Sequence, residues 1–200
     1  MANKPFRVGL TGGIGSGKTS VSRVFQILHV PVFQADQEAR ILMESDRQLI
    51  NGLIQITGRD IYKGGNLDRK ELASLIFNND SMLRKVNSLV HPAVFRAFLK
   101  WTDQQSAPYV IMEAAILFES GGEEFVDRVI TITAPVGERI SRVMKRNNLS
   151  HDEVMQRIKA QMDDEQRIRM SDYIIENSEN DMIIPAILRI HEEILKIIKT

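Results

Sequence analysis

The sequence has no cysteine among its 200 residues, which excludes disulfide bonds and thiolate metal sites. It has no excess charge, because 26 Lys and Arg balance 26 Asp and Glu, so its bulk charge favours neither nucleic acid nor an acidic membrane as a partner. It also lacks the roughly 20 consecutive apolar residues that cross a bilayer and the apolar stretch of a signal peptide. We expect a soluble, cytoplasmic protein that binds neither nucleic acid nor membrane; its oligomeric state stays open.

What is present is the composition of an ordinary globular protein, with 43% hydrophobic and 26% charged residues. Short apolar runs alternate with helical patterns, which is typical of an α/β fold with a parallel sheet and helices on both faces. The predicted strands are residues 6–10, 30–33, 109–112, 128–132 and 172–175. The predicted helices cover residues 20–28, 37–57, 68–76, a region from about 80 to 101 interrupted at His91-Pro92, the charged segment 136–170, and 183–198. Asp68 is the predicted cap of the third of these helices.

A phosphate-binding motif lies between the first strand and the first helix. The segment GGIGSGKT, residues 12–19, matches the pattern GxxxxGK[ST]. Glycines let the backbone curl around an anion, and the following helix adds its positive N-terminus. In such a loop Lys18 reaches the β- and γ-phosphates and the Thr19 hydroxyl binds Mg²⁺, so the motif predicts an NTP or a related phosphate ligand together with Mg²⁺. The predicted nucleotide-binding residues are Gly13, Ile14, Gly15, Ser16, Gly17, Lys18, Thr19 and Ser20.

Asp36 is the candidate acid on the acceptor side. It follows the second predicted strand, and the carboxyl ends of parallel strands share one rim with the phosphate-binding loop. That position suits a base that accepts or orients a hydroxyl proton, although an N-cap of the next helix is the simpler interpretation of Asp36 alone. Arg40, four residues later, could hold Asp36 ionised, bind an acceptor phosphate or be a plain surface charge. His91 could contact a ligand or only break a helix.

Arg142 and Arg146 are four residues apart, so a helix would place them on one face. Two guanidinium groups on one face suit the β- and γ-phosphates of a nucleotide. The alternative is a solvated helix with ion pairs, because Glu138 lies four residues before Arg142.

Several function classes fit a phosphate-binding loop. A GTPase is disfavoured because Asn147-Asn148-Leu149-Ser150 does not match a guanine-reading NKxD segment. An NTP-hydrolysing switch or motor stays open, with Glu113 at the end of a strand as its acid. A nucleotide-binding module without catalysis and a kinase for another small metabolite, such as a nucleoside monophosphate, stay open too. A kinase needs an acceptor-side base and cations over the phosphoryl group, and Asp36 and Arg142 can supply both.

Taken together, the chain resembles the dephospho-CoA kinase family over nearly its whole length. The segments that carry the resemblance are LTGGIGSGKT (10–19), VPVFQADQEAR (30–40), LDRKELASLIFNND (67–80), LVHPAV (89–94), ILFESG (116–121), DRVITITAP (127–135), ERISRVMKRNNLS (138–150), RIKAQM (157–162) and SDYIIEN (171–177). The resemblance implies a P-loop kinase fold of three α/β/α layers with a parallel central sheet. It also implies a nucleotide core near 1–35, 105–135 and 171–200, a helical CoA-binding insertion near 36–104 and a helical lid near 136–170.

The resemblance implies transfer of the ATP γ-phosphoryl group to the ribose 3′-hydroxyl of dephospho-CoA, so the partners are small molecules. Asp36 would be the base or orienter of that hydroxyl, and Arg142 the lid cation. Arg40 and Arg146 match further arginines of the family, and His91 belongs to its HP segment.

Two positions depart from the family's pattern. Gln34 stands where the family has the first acid of Asp-Ala-Asp, and Ala115 stands where the family often has proline. Because Asp36 aligns with the proposed catalytic acid, we expect activity to survive both changes.

Overall fold

The computed structural model describes residues 4–77, 79–179 and 182–199. The strands are β1 (Phe6–Gly12), β2 (Val32–Gln34), β3 (Tyr62–Lys63), β4 (Asn66–Leu67), β5 (Tyr109–Glu113), β6 (Arg128–Thr133) and β7 (Tyr173–Glu176). The helices are α1 (Lys18–Ile27), α2 (Ala35–Ser45), α3 (Arg47–Thr57), α4 (Arg69–Phe77), α5 (Asp80–Thr102), α6 (Val136–Asn147), α7 (His151–Lys159), α8 (Asp164–Arg169) and α9 (Ile183–Lys199), with a short 3₁₀ helix at Gly122–Phe125. The predicted segment 67–80 includes residue 78, which lies outside the described residues.

Five strands form one parallel sheet in the order β2-β5-β1-β6-β7. The central strand β1 pairs with β5 through Phe6 and Tyr109, and with β6 through Gly12 and Ile132. Sheets of this kind are covered on both faces, and β1 is accordingly buried from Val8 to its end. The predicted α/β fold with a parallel central sheet is confirmed.

The chain forms two compact units, residues 1–34 with 101–200, and residues 35–100. In the first unit the main core combines side chains of the sheet with those of α1 and α9, among them Val8, Phe25, Ile130 and Ile190. A smaller apolar cluster joins α6 and α7 through Ile140, Val143 and Val154. The division into core, CoA-binding insertion and lid stays a prediction.

The second unit differs from the sequence prediction at two points. The predicted helix 37–57 is two helices, because the Asp46 side chain accepts hydrogen bonds from the amides of Gln48 and Leu49 and caps a new helix there. The expected interruption at His91-Pro92 was wrong, since α5 runs through Pro92. A proline inside a helix is unfavourable. Here burial of neighbouring side chains outweighs that effect; Val90, Ala93, Val94 and Phe98 are all buried.

The remaining element of the second unit is a tight hairpin. Strands β3 and β4 are joined by Gly64 and Gly65, both at positive φ, which glycine adopts without strain. As predicted, Asp68 caps the next helix by accepting from the Glu71 amide. No helix in the described parts of the chain is long and apolar enough to span a membrane.

Candidate active site

The phosphate loop, residues 12–19, leaves the end of β1 and enters α1. Gly17 directly precedes α1 at φ 100° and has no side chain to cap the helix. The N–H groups in the first turn of a helix have no carbonyl acceptor within it. They therefore present an electropositive end to whatever the loop surrounds. Thr19 and Ser20 lie exposed in this turn.

Lys18 turns back across the loop. Its Nζ donates to the Gly12 carbonyl oxygen at 2.6 Å, which holds the ammonium group against the loop. The loop also closes on itself, because the Ser16 amide donates to the Gly13 carbonyl at 3.1 Å. The structure thus brings Lys18 together with the loop backbone, as a phosphate-binding role requires.

Arg139 of α6 lies directly against the loop and is only 2% exposed. Its Nε donates to the Ile14 carbonyl oxygen at 2.9 Å. A Cβ atom at Gly13 would lie 2.1 Å from Arg139 Nη2. A side chain at residue 13 would therefore displace the buried guanidinium group, independently of any bound phosphate.

Two more side chains hold the loop from outside. Gln161, after α7, accepts a hydrogen bond from the Ile14 amide at 2.7 Å. Asn177, after β7, donates through Nδ2 to the Ser16 carbonyl oxygen at 2.7 Å. The loop conformation is therefore set by polar side chains distant in sequence as well as by its glycines.

Arg139 belongs to a charge network that joins two buried arginines to partly exposed carboxylates. Asp164 forms an ion pair with Arg139 and another, at 2.6 Å, with the fully buried Arg167. Arg167 also donates to the Met162 carbonyl at 2.8 Å and lies 3.7 Å from Glu119. Burial lowers the pKa of the Arg139 guanidinium, and the pairing with Asp164 opposes that effect. Buried cations need such partners, since an unpaired one is strongly destabilising.

Arg142 lies on α6 and is about two-thirds buried, with a side chain 30% exposed. Its Nη2 pairs with Glu138 at 2.7 Å, so the ion pair considered from the sequence is present. Its Nη1, however, is buried and has no hydrogen-bond partner among the described residues. Arg146 lies one turn further along; it is exposed and, among the described residues, its side chain donates to the neighbouring Asn147 side chain.

The other predicted site residues lie in the second unit. Asp36 and Arg40 are exposed on α2, one turn apart. Because α2 begins at Ala35, Asp36 lies in the first turn of this helix and not at its N-cap. The N-cap interpretation considered from the sequence is therefore wrong. His91 is half-buried on α5, with its ring centroid 6.4 Å from that of Phe95, and burial lowers its pKa.

Sequence reasoning did not single out the residues that hold the loop. Arg139 and Arg167 lie in the charged segment 136–170, and nothing in a helical pattern distinguishes a buried arginine from an exposed one. Gln161 and Asn177 lie in RIKAQM and SDYIIEN, two segments that carried the family resemblance. That resemblance was the only signal that could have drawn attention to them.

A sequence model of the dephospho-CoA kinase family matches residues 6–182. The chain belongs to the dephospho-CoA kinase family. A dephospho-CoA kinase from Bacteroides fragilis is 35% identical over 185 residues, 92% of this chain and 90% of that protein. One from Porphyromonas gingivalis is 35% identical over 191 residues, 94% of this chain and 93% of that protein. The resemblance seen in the sequence is thus confirmed.

Solved structures share the fold of this chain. A crystal structure of a Thermus thermophilus protein has a TM-score of 0.83 at 31% identity, covering 97% of this chain and 98% of that one. A dephospho-CoA kinase from Campylobacter jejuni has a TM-score of 0.70 at 24% identity, covering 95% and 97%. A shikimate kinase from Bacteroides thetaiotaomicron, with a TM-score of 0.54 at 14% identity and 95% and 98% coverage, shares the fold alone. The P-loop kinase fold expected from the sequence is confirmed.

Proposed function

We propose that this protein transfers the γ-phosphoryl group of ATP to the ribose 3′-hydroxyl of dephospho-CoA, giving coenzyme A and ADP. Membership of the dephospho-CoA kinase family, with relatives matched over about nine-tenths of both chains, is the observation that carries this proposal. Both substrates are small phosphorylated metabolites, which supports a cytoplasmic enzyme without a nucleic-acid or membrane partner.

The phosphate loop is the proposed ATP site. The loop from Gly13 to Ser20 would surround the phosphate chain, and the positive end of α1 would add to the attraction. Lys18 already lies against this loop and would exchange its contact with the Gly12 carbonyl for the β- and γ-phosphate oxygens. The uncapped start of α1 at Gly17 supports this role.

Arg142 is the proposed cation over the transferring phosphoryl group. A buried donor without a partner is unfavourable in a folded protein, and Arg142 Nη1 is such a donor among the described residues. A phosphate oxygen is the acceptor that guanidinium groups bind most strongly. Arg146 is the second proposed lid cation, and the segment 136–170 is the proposed lid.

Asp36 is the proposed base or orienter on the acceptor side, with Arg40 beside it on α2 and His91 as a further acceptor contact. Its exposed carboxylate has no hydrogen bond or ion pair to another described residue, and it lies two residues after the end of β2. The transition state of phosphoryl transfer is loose, so orientation of the hydroxyl matters more than early removal of its proton. Residues 36–104 are the proposed dephospho-CoA-binding insertion.

Mg²⁺ is the proposed metal, with the Thr19 hydroxyl as its protein ligand. No group of three or more carboxylate or imidazole side chains in the described residues could hold a metal ion, and Thr19 is exposed at the loop. A single protein hydroxyl suits Mg²⁺, which is usually held by few protein ligands together with substrate phosphates and water. The ion would neutralise charge on the phosphates during transfer.

Two other enzymatic functions remain as alternatives, a kinase for another small metabolite and an NTP hydrolase with Glu113 as its acid. The deciding experiment measures ADP release with MgATP, with and without dephospho-CoA, and identifies the product by mass. Release that depends on dephospho-CoA, with a product heavier by one phosphoryl group, is the expected result. Equal release with and without the acceptor would refute the proposal and favour a hydrolase.

A further inference from the structure

Ile14 is the residue of the phosphate loop whose two backbone polar groups are both held by side chains from elsewhere. Its amide donates to Gln161 Oε1 at 2.7 Å, and its carbonyl accepts from Arg139 Nε at 2.9 Å. We call these two contacts the Ile14 clamp. They fix the peptide planes on both sides of Ile14, because each plane has one of its polar groups bound.

The clamp determines where a neighbouring amide points. In a planar trans peptide the carbonyl of one residue and the N–H of the next point in opposite directions. Since the Ile14 carbonyl points at Arg139, the Gly15 N–H of the same peptide must point away from Arg139. Gly15 has a positive φ of 81°, a region where glycine has wide freedom, so its own backbone does little to fix this direction.

The two clamping side chains are themselves held firmly. Arg139 is buried and paired with Asp164, and Asp164 is paired with the fully buried Arg167. Gln161 lies three residues before Asp164. The intervening Met162 is bound on both sides, its carbonyl by Arg167 at 2.8 Å and its amide by Glu119 at 2.8 Å. The clamp therefore rests on a rigid segment.

We propose that Arg139 and Gln161 are positioning residues that keep the phosphate loop in its nucleotide-binding conformation before nucleotide arrives. If a loop also samples conformations that cannot bind nucleotide, its measured affinity is the intrinsic affinity multiplied by the fraction of time that it spends in the binding conformation. The clamp keeps that fraction high and leaves the chemical step to other residues. This proposal rests on the proposed function only in requiring that the loop binds a nucleotide.

The test is the dissociation constant of MgADP, measured by calorimetry on the full chain. Gln161→Met keeps the length of the side chain but removes the acceptor, and losing one hydrogen bond of this kind should raise the dissociation constant about fivefold. The KM for ATP should rise by a similar factor while kcat at saturating ATP stays unchanged. Gln156→Met, at an exposed position of α7, makes the same chemical change and should leave binding unaltered.

Arg139→Lys tests the other contact of the clamp, because one ammonium group cannot replace both the contact with Ile14 and the pairing with Asp164. It should weaken MgADP binding about tenfold, and the double variant should bind more tightly than the product of the two factors predicts, since both contacts hold one residue. If Arg139→Lys fails to fold, the comparison of Gln161→Met with Gln156→Met is sufficient to test the proposal.

Unchanged or tighter MgADP binding by Gln161→Met would overturn the proposal. A dissociation constant of the double variant that rises by the full product of the two single-variant factors would overturn it too. MgADP binding needs no acceptor. A protein that shows the expected binding changes but does not phosphorylate dephospho-CoA would therefore refute the proposed function and leave the clamp standing.

Discussion

Gly13→Ala should destabilise the fold strongly, even in the absence of nucleotide. A Cβ atom at residue 13 would lie 2.1 Å from Nη2 and 2.5 Å from Cζ of Arg139. The guanidinium group would have to withdraw by about 1.5 Å to reach an ordinary separation of about 3.5 Å. Its 2.9 Å hydrogen bond to Ile14 would then be lost, because a charged donor at such a distance no longer forms one.

The expected loss follows from that bond. A hydrogen bond from a charged donor contributes about 1.5–3 kcal/mol, and residual strain adds to it, so the free energy of unfolding should fall by about 3 kcal/mol. Urea denaturation measures this value. Gly137→Ala is the matched control, since a Cβ at Gly137 meets nothing within 4 Å, and alanine inside a helix should stabilise by about 0.5–1 kcal/mol.

A second background separates this mechanism from a general intolerance of the loop. In an Arg139→Ala protein the obstructing side chain is gone, so adding Gly13→Ala should lower the free energy of unfolding by less than about 1 kcal/mol. An equal loss in both backgrounds would refute the reasoning, because the clash with Arg139 would then not be its cause.

Four further predictions concern catalysis and pH. Lys18→Ala should lower kcat/KM by about 1,000-fold, and Arg142→Ala should lower kcat by at least about 100-fold with little change in the free energy of unfolding; steady-state kinetics and urea denaturation check both. Asp36→Asn should lower kcat about 100-fold while the dissociation constant of MgATP stays the same, and equal losses in both would contradict its role. Burial lowers the pKa of His91 from 6.5 in the folded state, so the unfolded chain binds more protons and stability falls as the pH drops below about 6.5. His91→Gln should make this fall smaller in unfolding curves recorded between about pH 7.5 and about pH 5.5.

Local sequence signals predicted the part of the site that is built locally. The phosphate loop follows from GGIGSGKT between an apolar strand and a helix, and the parallel sheet follows from short buried runs that alternate with helices. Asp68 was predicted as a cap because caps act within three residues of their own helix. These features need no information from distant parts of the chain.

The features missed by sequence reasoning depend on distant partners. Arg139 contacts Ile14, 125 positions away in sequence, and Gln161 contacts the same residue across 147 positions. A charged helix with regular spacing indicates exposure, and only tertiary packing reverses that for Arg139 and Arg167. Pro92 shows the same limit, because its helix is maintained by burial that a local pattern does not contain.

The strand order has a consequence for how the sheet assembles. The central strand β1 pairs with β5 and β6, and the first of these contacts joins Phe6 to Tyr109, about a hundred positions later in the chain. During synthesis β1 therefore leaves the ribosome long before either neighbour exists, while residues 35–100 form a compact unit of their own. Contacts of such long sequence separation form late and slowly. Strand β1 is thus the strand of this sheet that waits longest for its partners, and while unpaired it is open to chaperones or to aggregation in the nascent chain.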